Sequence, residues 1–192
     1  IIINPLPTVT SVTGGDIYCA GETVDNILVN VTGASPWTVS YTLDGSVQTA
    51  TGGASPISLG NAAGVYVLTG IEDASCTNTA IGSQTITINP LPEVTAINGG
   101  DIYCVGQTIN DICVDVTGTG PWTVTYQIDG GPDQTASGAA SPICLGNGAG
   151  VYTVTGIVDA TTCTNTASET DEIIINPLPV VSIDTIQGSL TC

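Results

Sequence analysis

Cysteines are the residues of this sequence best able to do chemistry, because two thiols join as a disulfide in an oxidising compartment. Four of the seven cysteines recur at equivalent places of an internal repeat, where Cys19 corresponds to Cys104 and Cys76 corresponds to Cys163. The simplest connectivity is Cys19–Cys76 and Cys104–Cys163. Each bond would close a loop of about 60 residues and contribute roughly 4 kcal/mol through the entropy of the unfolded chain.

Cys113 and Cys144 occur only in the second repeat, and the first repeat has Leu28 and Ser58 at their positions. Apolar residues alternate at positions 112, 114 and 116, so the side chain of Cys113 is expected on the opposite face of that strand. Cys144 is likewise out of phase with its apolar neighbours. Two cysteines on the outer face of a sheet predict a disulfide between neighbouring strands.

Cys192 stands where Cys19 would stand in a third repeat, and we expect it to be unpaired within this sequence. Free buried thiols are the alternative for all of the cysteines. A zinc site fits less well, because the sequence has no His and no Cys-x-x-Cys. The cysteines therefore favour an extracellular or cell-surface location.

The acidic residues have no cationic partners, since the chain has 17 Asp and Glu but no Lys, Arg or His. A basic nucleic-acid interface and attraction to anionic lipid are excluded on this ground. The usual triads and Schiff-base chemistry are also unavailable. A carboxylate pair for glycoside hydrolysis is possible in principle. The acidic residues fall in turns or on outer strand faces, however, and the sequence predicts a protein that is not an enzyme.

Calcium is the one cofactor that the carboxylates could hold. Asp16 or Asp101 could join Asp73 or Asp159 at one end of a repeat and offer hard oxygen ligands. The alternative is that these are solvated carboxylates in turns. No Asp-x-Asp-x-Asp-Gly loop is present to strengthen the calcium hypothesis.

Two further kinds of site depend on short patterns. Trp37, Trp122, Tyr41 and Tyr126 could form a sugar-binding platform, but their phase matches apolar strand residues and favours core packing. Asn30 begins an Asn-Val-Thr triplet that fits N-glycosylation. Thr185, in Asp-Thr-Ile, lies in a triplet that resembles bacterial O-glycosylation sites.

The repeat itself is marked by the string Ile-Asn-Pro-Leu-Pro, which occurs three times at a spacing of about 85 residues. This spacing suits one small β-sandwich per repeat. We expect the following divisions: 1–7, the last strand of a preceding module and its joint; 8–92, a first full module; 93–179, a second; 180–192, the first strand of a third. No apolar run approaches the length of a membrane span. The Asn-Pro-Leu-Pro joints should restrict bending between modules.

Strand signals dominate both repeats, with turn residues every 8 to 12 positions and no helical period. Asp44-Gly45 and Asp129-Gly130 predict hairpin turns. The strands predicted for the second repeat are Glu93–Ile97, Thr108–Thr117, Trp122–Ile128, Gln134–Ser137, Ser141–Leu145, Gly150–Val158 and Thr170–Asn176. The inward residues predicted in the two repeats are Ile27, Val29, Val31, Trp37, Val39, Tyr41, Leu43, Tyr66 and Leu68, and Ile112, Val114, Val116, Trp122, Val124, Tyr126, Ile128, Tyr152 and Val154.

A Trp on the third strand and a Tyr on the penultimate strand resemble the core of immunoglobulin-like sandwiches, whose second and fifth strands are neighbours. That topology would bring Cys113 and Cys144 together. The run Gly150–Asp159 followed by Cys163 is similar to the end of polycystic-kidney-disease-like (PKD-like) modules. The Ile-Asn-Pro-Leu-Pro joints resemble repeats of very long surface adhesins of Bacteroidota. The resemblance implies an all-β fold of tandem immunoglobulin-like modules, export, and a role in adhesion, gliding or surface filaments.

These observations predict a structural segment of a secreted, acidic surface filament or adhesin stalk. Its expected partners are adjacent modules or copies of itself, without membrane insertion. The alternative is a set of adhesin modules that bind a glycan or protein on a host or neighbouring cell surface, with a possible calcium requirement. A variant of the first hypothesis has the terminal strand of one subunit complete the sheet of another.

Overall fold

The structure is a computed structural model that describes residues 3–182. Within these residues all regular secondary structure is β-strand, and no helix is long and apolar enough to cross a membrane. The chain divides into two compact units between Pro90 and Leu91, called here the first and second modules. The first module contains β1 (Thr8–Thr13), β2 (Ile17–Cys19), β3 (Ile27–Thr32), β4 (Trp37–Leu43), β5 (Ser46–Gly52), β6 (Ile57–Gly60), β7 (Gly64–Glu72), β8 (Thr77–Thr79) and β9 (Ser83–Asn89).

The second module repeats this order of strands. It contains β10 (Glu93–Asn98), β11 (Asp101–Cys104), β12 (Ile112–Thr117), β13 (Trp122–Ile128), β14 (Gln134–Gly138), β15 (Ile143–Gly146), β16 (Gly150–Val158), β17 (Thr164–Thr166) and β18 (Thr170–Asn176). Each of the seven predicted strands is found, and three have the predicted bounds. The short strands β11 and β17, with their counterparts β2 and β8, were not predicted.

Each module is a sandwich of two sheets. In the first module the sheets have the orders β1-β3-β6 and β2-β9-β7-β4-β5, with β8 paired to β7. In the second they have the orders β10-β12-β15 and β11-β18-β16-β13-β14, with β17 paired to β16. All pairs are antiparallel except β2 with β9 and β11 with β18, which are parallel.

The core lies between the two sheets and follows the alternation of the sequence. On β3 the residues Ile27, Val29 and Val31 are buried, and on β12 the same holds for Ile112, Val114 and Val116. Because successive strand residues point to opposite faces, one apolar residue in every two is enough to build this core. The predicted inward residues are confirmed, since each is buried or packs half-buried against a core.

Near the start of each module, one glycine lets the chain pass from one sheet to the other. Gly14 has a φ of +87°, and a Cβ on it would clash with the backbone oxygen of Asn26. Gly99 has a φ of +115° and would clash in the same way with Asp111. Only a residue without a side chain fits this turn. The turn ends β1 in the three-stranded sheet and starts β2 beside the last strand of the larger sheet.

The predicted hairpin turns are present and have a second use. Asp44, with a φ of 48°, and Gly45 connect β4 to β5, as expected for a two-residue turn with positive φ at both positions. The Asp44 carboxylate accepts a hydrogen bond of 2.8 Å from the backbone N–H of Val65. Asp129 accepts one of 2.9 Å from Val151. Each turn therefore also fixes the start of a later strand, which is β7 in the first module and β16 in the second.

We expect Ile112→Ala to destabilise the second module by about 2–5 kcal/mol, because it leaves a cavity in the core. Ile112 has no exposed surface, whereas Ile102 on β11 is 62% exposed, so Ile102→Ala is the matched control and should cost far less. The measurement is urea unfolding followed by the fluorescence of Trp122, in a Trp37→Phe background that leaves one Trp. Equal losses for the two variants would contradict the assigned core.

Candidate functional site: the two ends of each module

The parallel strand places one cysteine at the C-terminal end of each module. In the first module Cys19 lies opposite Asn89, the last residue of β9, and the next residue, Ala20, donates a hydrogen bond of 2.8 Å to the Asn89 carbonyl. In the second module Cys104 lies opposite Asn176. Asn89 and Asn176 each begin an Asn-Pro-Leu-Pro joint.

The other repeat cysteine lies at the N-terminal end of its module. Cys76 is in the turn between β7 and β8, where its backbone N–H donates to Asp73 at 2.8 Å. Asn78, two residues further on, donates a side-chain hydrogen bond of 3.0 Å to the carbonyl of Pro7. In the second module Cys163 lies in the same turn, and Asn165 donates to Pro92 at 3.0 Å. These prolines precede the first strand of each module.

The predicted disulfides Cys19–Cys76 and Cys104–Cys163 are therefore wrong. The nine residues of β7 span about 30 Å and separate the two ends of the first module, whereas a disulfide needs Cα atoms within about 7 Å. Cys76 and Cys104 are free thiols, and Cys19 and Cys163 each take part in a disulfide. The error came from the unpredicted strands β2 and β11, which carry their cysteine to the far end of the module.

A buried aspartate organises the N-terminal end of each module. Asp73 and Asp159 are each only 6% exposed, and neither meets a cation. One oxygen of Asp73 accepts from the N–H of Ala34 at 2.9 Å, and the other accepts from Ser75 and Cys76. These bonds tie the β7–β8 turn to the loop that follows β3.

Asp159 repeats this arrangement with an added hydroxyl. Its Oδ1 accepts from the Thr161 hydroxyl at 2.6 Å and from the N–H groups of Thr161 and Cys163 at 2.9 and 3.2 Å. Its Oδ2 accepts from the N–H of Thr119 at 3.3 Å. Backbone and hydroxyl donors thus supply what a salt bridge would supply in a protein with Lys or Arg.

The hydrogen bonds hold the pKa of both carboxyls below the ordinary value for Asp. For Asp73 the bond from Ala34 is the largest cause of the lower pKa, followed by the bond from Ser75, and burial opposes them. For Asp159 burial is the largest influence and would raise the pKa, but the combined bonds from Thr161, Thr119 and Cys163 outweigh it. Both groups are therefore ionised in the folded state at neutral pH.

Cys113 and Cys144 form a disulfide on the second module. They lie directly opposite each other on the neighbouring strands β12 and β15, with Cα atoms 3.9 Å apart. Their side chains lie on the outer face, since the flanking Ile112 and Ile143 are buried. In the first module the same positions hold Leu28 and Ser58, which are also paired across the strands.

The structure does not bring the calcium candidates together. Asp16 directly precedes β2 near the C-terminal end of the first module, where its backbone carbonyl accepts from the N–H of Thr87, whereas Asp73 lies at the opposite end. Asp101 and Asp159 are separated in the same way. The calcium site proposed from sequence is wrong in this form, and among residues 3–182 no three Cys, Asp or Glu side chains lie close enough to hold a metal ion.

The aromatic and glycosylation candidates occupy ordinary strand positions. Trp37 and Trp122 are half-buried against their cores, and Tyr41 is buried and donates to the carbonyl of Leu59 at 3.0 Å. Asn30 lies on β3 and donates a side-chain hydrogen bond of 2.9 Å to Ser11. Thr185 and Cys192 lie outside the described residues.

No protein-family model and no curated relative matches the chain. Among solved structures, an I-band fragment of titin is 14% identical over 89% of this chain, with a TM-score of 0.59, and this chain spans 66% of that fragment. The Rst D1-D2 structure is 11% identical and covers 92% of this chain and 100% of its own, with a TM-score of 0.54. This likeness establishes the fold. The chain consists of tandem immunoglobulin-like β-sandwich modules.

We expect Asp159→Asn to destabilise the second module by about 1–3 kcal/mol, because an amide N–H would face a backbone N–H and leave it without an acceptor. Glu93→Gln, at an exposed position, is the control and should be close to neutral. Unfolding is again followed by Trp122 in a Trp37→Phe background. A variant as stable as the wild type would show that the carboxylate does not hold the turn.

The effect of Asp159→Asn should depend on pH. Since the pKa of Asp159 is lowered on folding, its contribution to stability is present above the pKa of the unfolded state and is lost as the pH falls through the folded pKa. The difference in unfolding free energy between wild type and variant should therefore shrink as the pH falls below the pKa of Asp in the unfolded chain, about 4. A constant difference would contradict ionisation as its source.

We also expect the melting temperature to be unchanged by a calcium chelator. Both oxygens of Asp73 and Asp159 already accept hydrogen bonds, and Asp16 and Asp101 lie at the other ends of their modules. The measurement is calorimetry in EDTA and in millimolar Ca²⁺. A rise of several degrees with Ca²⁺ that EDTA reverses would reopen the calcium hypothesis.

Proposed function

We propose that this chain is a non-catalytic, load-bearing segment of an extracellular surface filament or adhesin stalk. The observation that supports the proposal most directly is the parallel pairing of β2 with β9 and of β11 with β18. This pairing joins an early strand of each module to its last strand. Adjacent modules, copies of the chain and a cell surface are the partners that this role implies.

The direction of the paired strands decides how a module responds to tension. The N-terminal end of the first module carries Pro7, and the C-terminal end carries Asn89. A pull on these ends draws β2 and β9 in opposite directions along their own axes. The hydrogen bonds of a parallel pair are then loaded together, instead of being opened one at a time as at the end of a hairpin.

The second module has an additional constraint under load. The Cys113–Cys144 disulfide joins residues 31 apart in sequence, and the loop between them cannot extend while the bond is intact. In the chain-entropy account, closing such a loop also contributes roughly 4 kcal/mol to stability. A stable disulfide supports an oxidising, extracellular location.

The chemistry of the described residues supports a structural role. Asp73 and Asp159, the two buried carboxylates, are used by backbone donors, and the chain has no His, Lys or Arg to serve as a base or nucleophile. The Trp side chains that could have stacked on a sugar pack against the cores. These features favour a spacer over ligand-binding adhesin modules.

Single-molecule stretching tests the load-bearing proposal. In a background where the other five cysteines are Ser, the only possible disulfide is Cys113–Cys144. We expect one unfolding step of about 300 Å from the first module and one of about 190 Å from the second. Dithiothreitol should lengthen only the second step, by about 110 Å, because it releases the loop between two cysteines that are 31 positions apart.

Proline variants then test the parallel strands. Ala20→Pro removes the N–H that donates to Asn89, and Val105→Pro removes the N–H that donates to Asn176 at 3.0 Å. Each should lower the unfolding force of its own module and leave the other unchanged, so each module serves as the control for the other. Unchanged forces in both variants, or modules that extend without a resolved step, would refute load bearing by these strands.

A further inference from the structure

Of the four repeat cysteines in residues 3–182, two are disulfide-bonded and two are free thiols, and each module contains one of each kind. Cys19 in the first module and Cys163 in the second are disulfide-bonded. Cys76 in the first module and Cys104 in the second are free thiols. Neither Cys19 nor Cys163 is therefore bonded to the other repeat cysteine of its own module. Each free thiol occupies a repeat position whose counterpart is oxidised.

Exposure differs between the two states in the same direction at both positions. Cys163 has no exposed surface, whereas Cys76, its counterpart, is half-buried. Cys19 is half-buried, whereas Cys104 is exposed. At both repeat positions the oxidised cysteine is the more buried of the two. Both free thiols are at least partly exposed, at positions that this sequence otherwise uses for disulfides.

The two free thiols lie at module ends of opposite type. Cys104 is at the C-terminal end of its module, held by a 2.6 Å hydrogen bond from its N–H to the side chain of Gln107. Cys76 is at the N-terminal end of its module, held by Asp73. Pairing within a module is excluded for both thiols. Cys19, in the module of Cys76, and Cys163, in the module of Cys104, are already bonded, and each lies at the far end of that module. Such thiols can pair only with a cysteine from outside the module that carries them.

We propose that Cys104 of one copy of this chain forms a disulfide with Cys76 of the next, so that successive copies are joined covalently end to end. The partner is a second copy of the chain, because its first module offers the Cys76 thiol at the N-terminal end, opposite in type to the end that carries Cys104. The linkage does not depend on the load-bearing proposal and could exist in an array that carries no tension.

The chemistry is a thiol–disulfide exchange with a small-molecule disulfide such as oxidised glutathione. The Cys104 thiolate attacks the glutathione disulfide, which forms a mixed disulfide and releases one glutathione thiolate. The Cys76 thiolate of the second copy then attacks the Cys104 sulfur and releases the second glutathione. Two protein thiols are oxidised, one glutathione disulfide is reduced to two thiols, and the two protons pass to the released thiolates.

Complementation between single variants tests this pairing. In a Cys192→Ser background, the Cys76→Ser chain retains only the Cys104 thiol, and the Cys104→Ser chain retains only the Cys76 thiol. Each is incubated with a glutathione redox buffer, alone and as an equimolar mixture, and resolved on non-reducing gels. We expect at least tenfold more covalent dimer in the mixture than in either chain alone, reversed by dithiothreitol. If Ser at the half-buried position 76 perturbs Trp37 fluorescence, Ala replaces it.

The parent chain, with both thiols, should form a ladder of dimers and larger species. Trypsin cannot map the bond because the sequence lacks Lys and Arg, but cleavage after Asp and Glu yields the peptides 74–93 and 102–111, each with one cysteine. In dimers made from isotopically heavy and light chains, we expect these two peptides joined with one heavy and one light partner. Replacing Cys113 and Cys144 by Ser should leave the ladder unchanged.

Three results would overturn the proposal. The mixture could stay monomeric, either single variant could dimerise alone as readily as the mixture, or the joined peptides could come from one chain only. The first would show that the thiols do not meet, the second that pairing is unselective, and the third that the bond is intramolecular. None of these results bears on the stretching experiment, in which both thiols are Ser.

Discussion

The parallel contact between an early strand and the last strand is the constraint on which the rest of each module depends. It requires the chain to leave the three-stranded sheet after β1 and to enter the larger sheet as β2, and Gly14 permits that turn. Once β2 lies beside β9, the C-terminal end of the module carries Cys19 and the joint that follows Asn89. The position of a cysteine and the edge of the larger sheet both result from one crossing.

The second constraint is that the acidic side chains have no cationic partners, so hydrogen bonds from the backbone must stabilise them. The chain has 17 acidic residues and no cationic side chain, so a carboxylate can be buried only where N–H or hydroxyl donors surround it. Asp73 and Asp159 meet this condition in the turns before β8 and β17, and Asp44 and Asp129 use exposed turns in the same way. The acidic residues with a clear structural role thus stabilise turns and do not form a site for chemistry.

The cysteines differ in where they lie. Cys113–Cys144 joins two neighbouring strands of one sheet, at positions that the first module fills with Leu28 and Ser58. The repeat cysteines lie at the ends of their modules. In the proposed linkage, the free thiols Cys76 and Cys104 would join successive copies of the chain.

The sequence by itself determined the strands whose side chains alternate. The buried residues of β3, β4, β12 and β13, the Asp-Gly hairpins and the pairing of Cys113 with Cys144 all follow from a period of two, which is a local property. It did not determine the partner of Ile17–Cys19 or of Asp101–Cys104. These strands of three and four residues are too short to show a period, and their neighbours lie about 70 residues away. Only the tertiary structure placed Cys19 and Cys76, or Asp16 and Asp73, at opposite ends of a module, because a parallel pairing is set by the packing of distant strands and not by the residues between them.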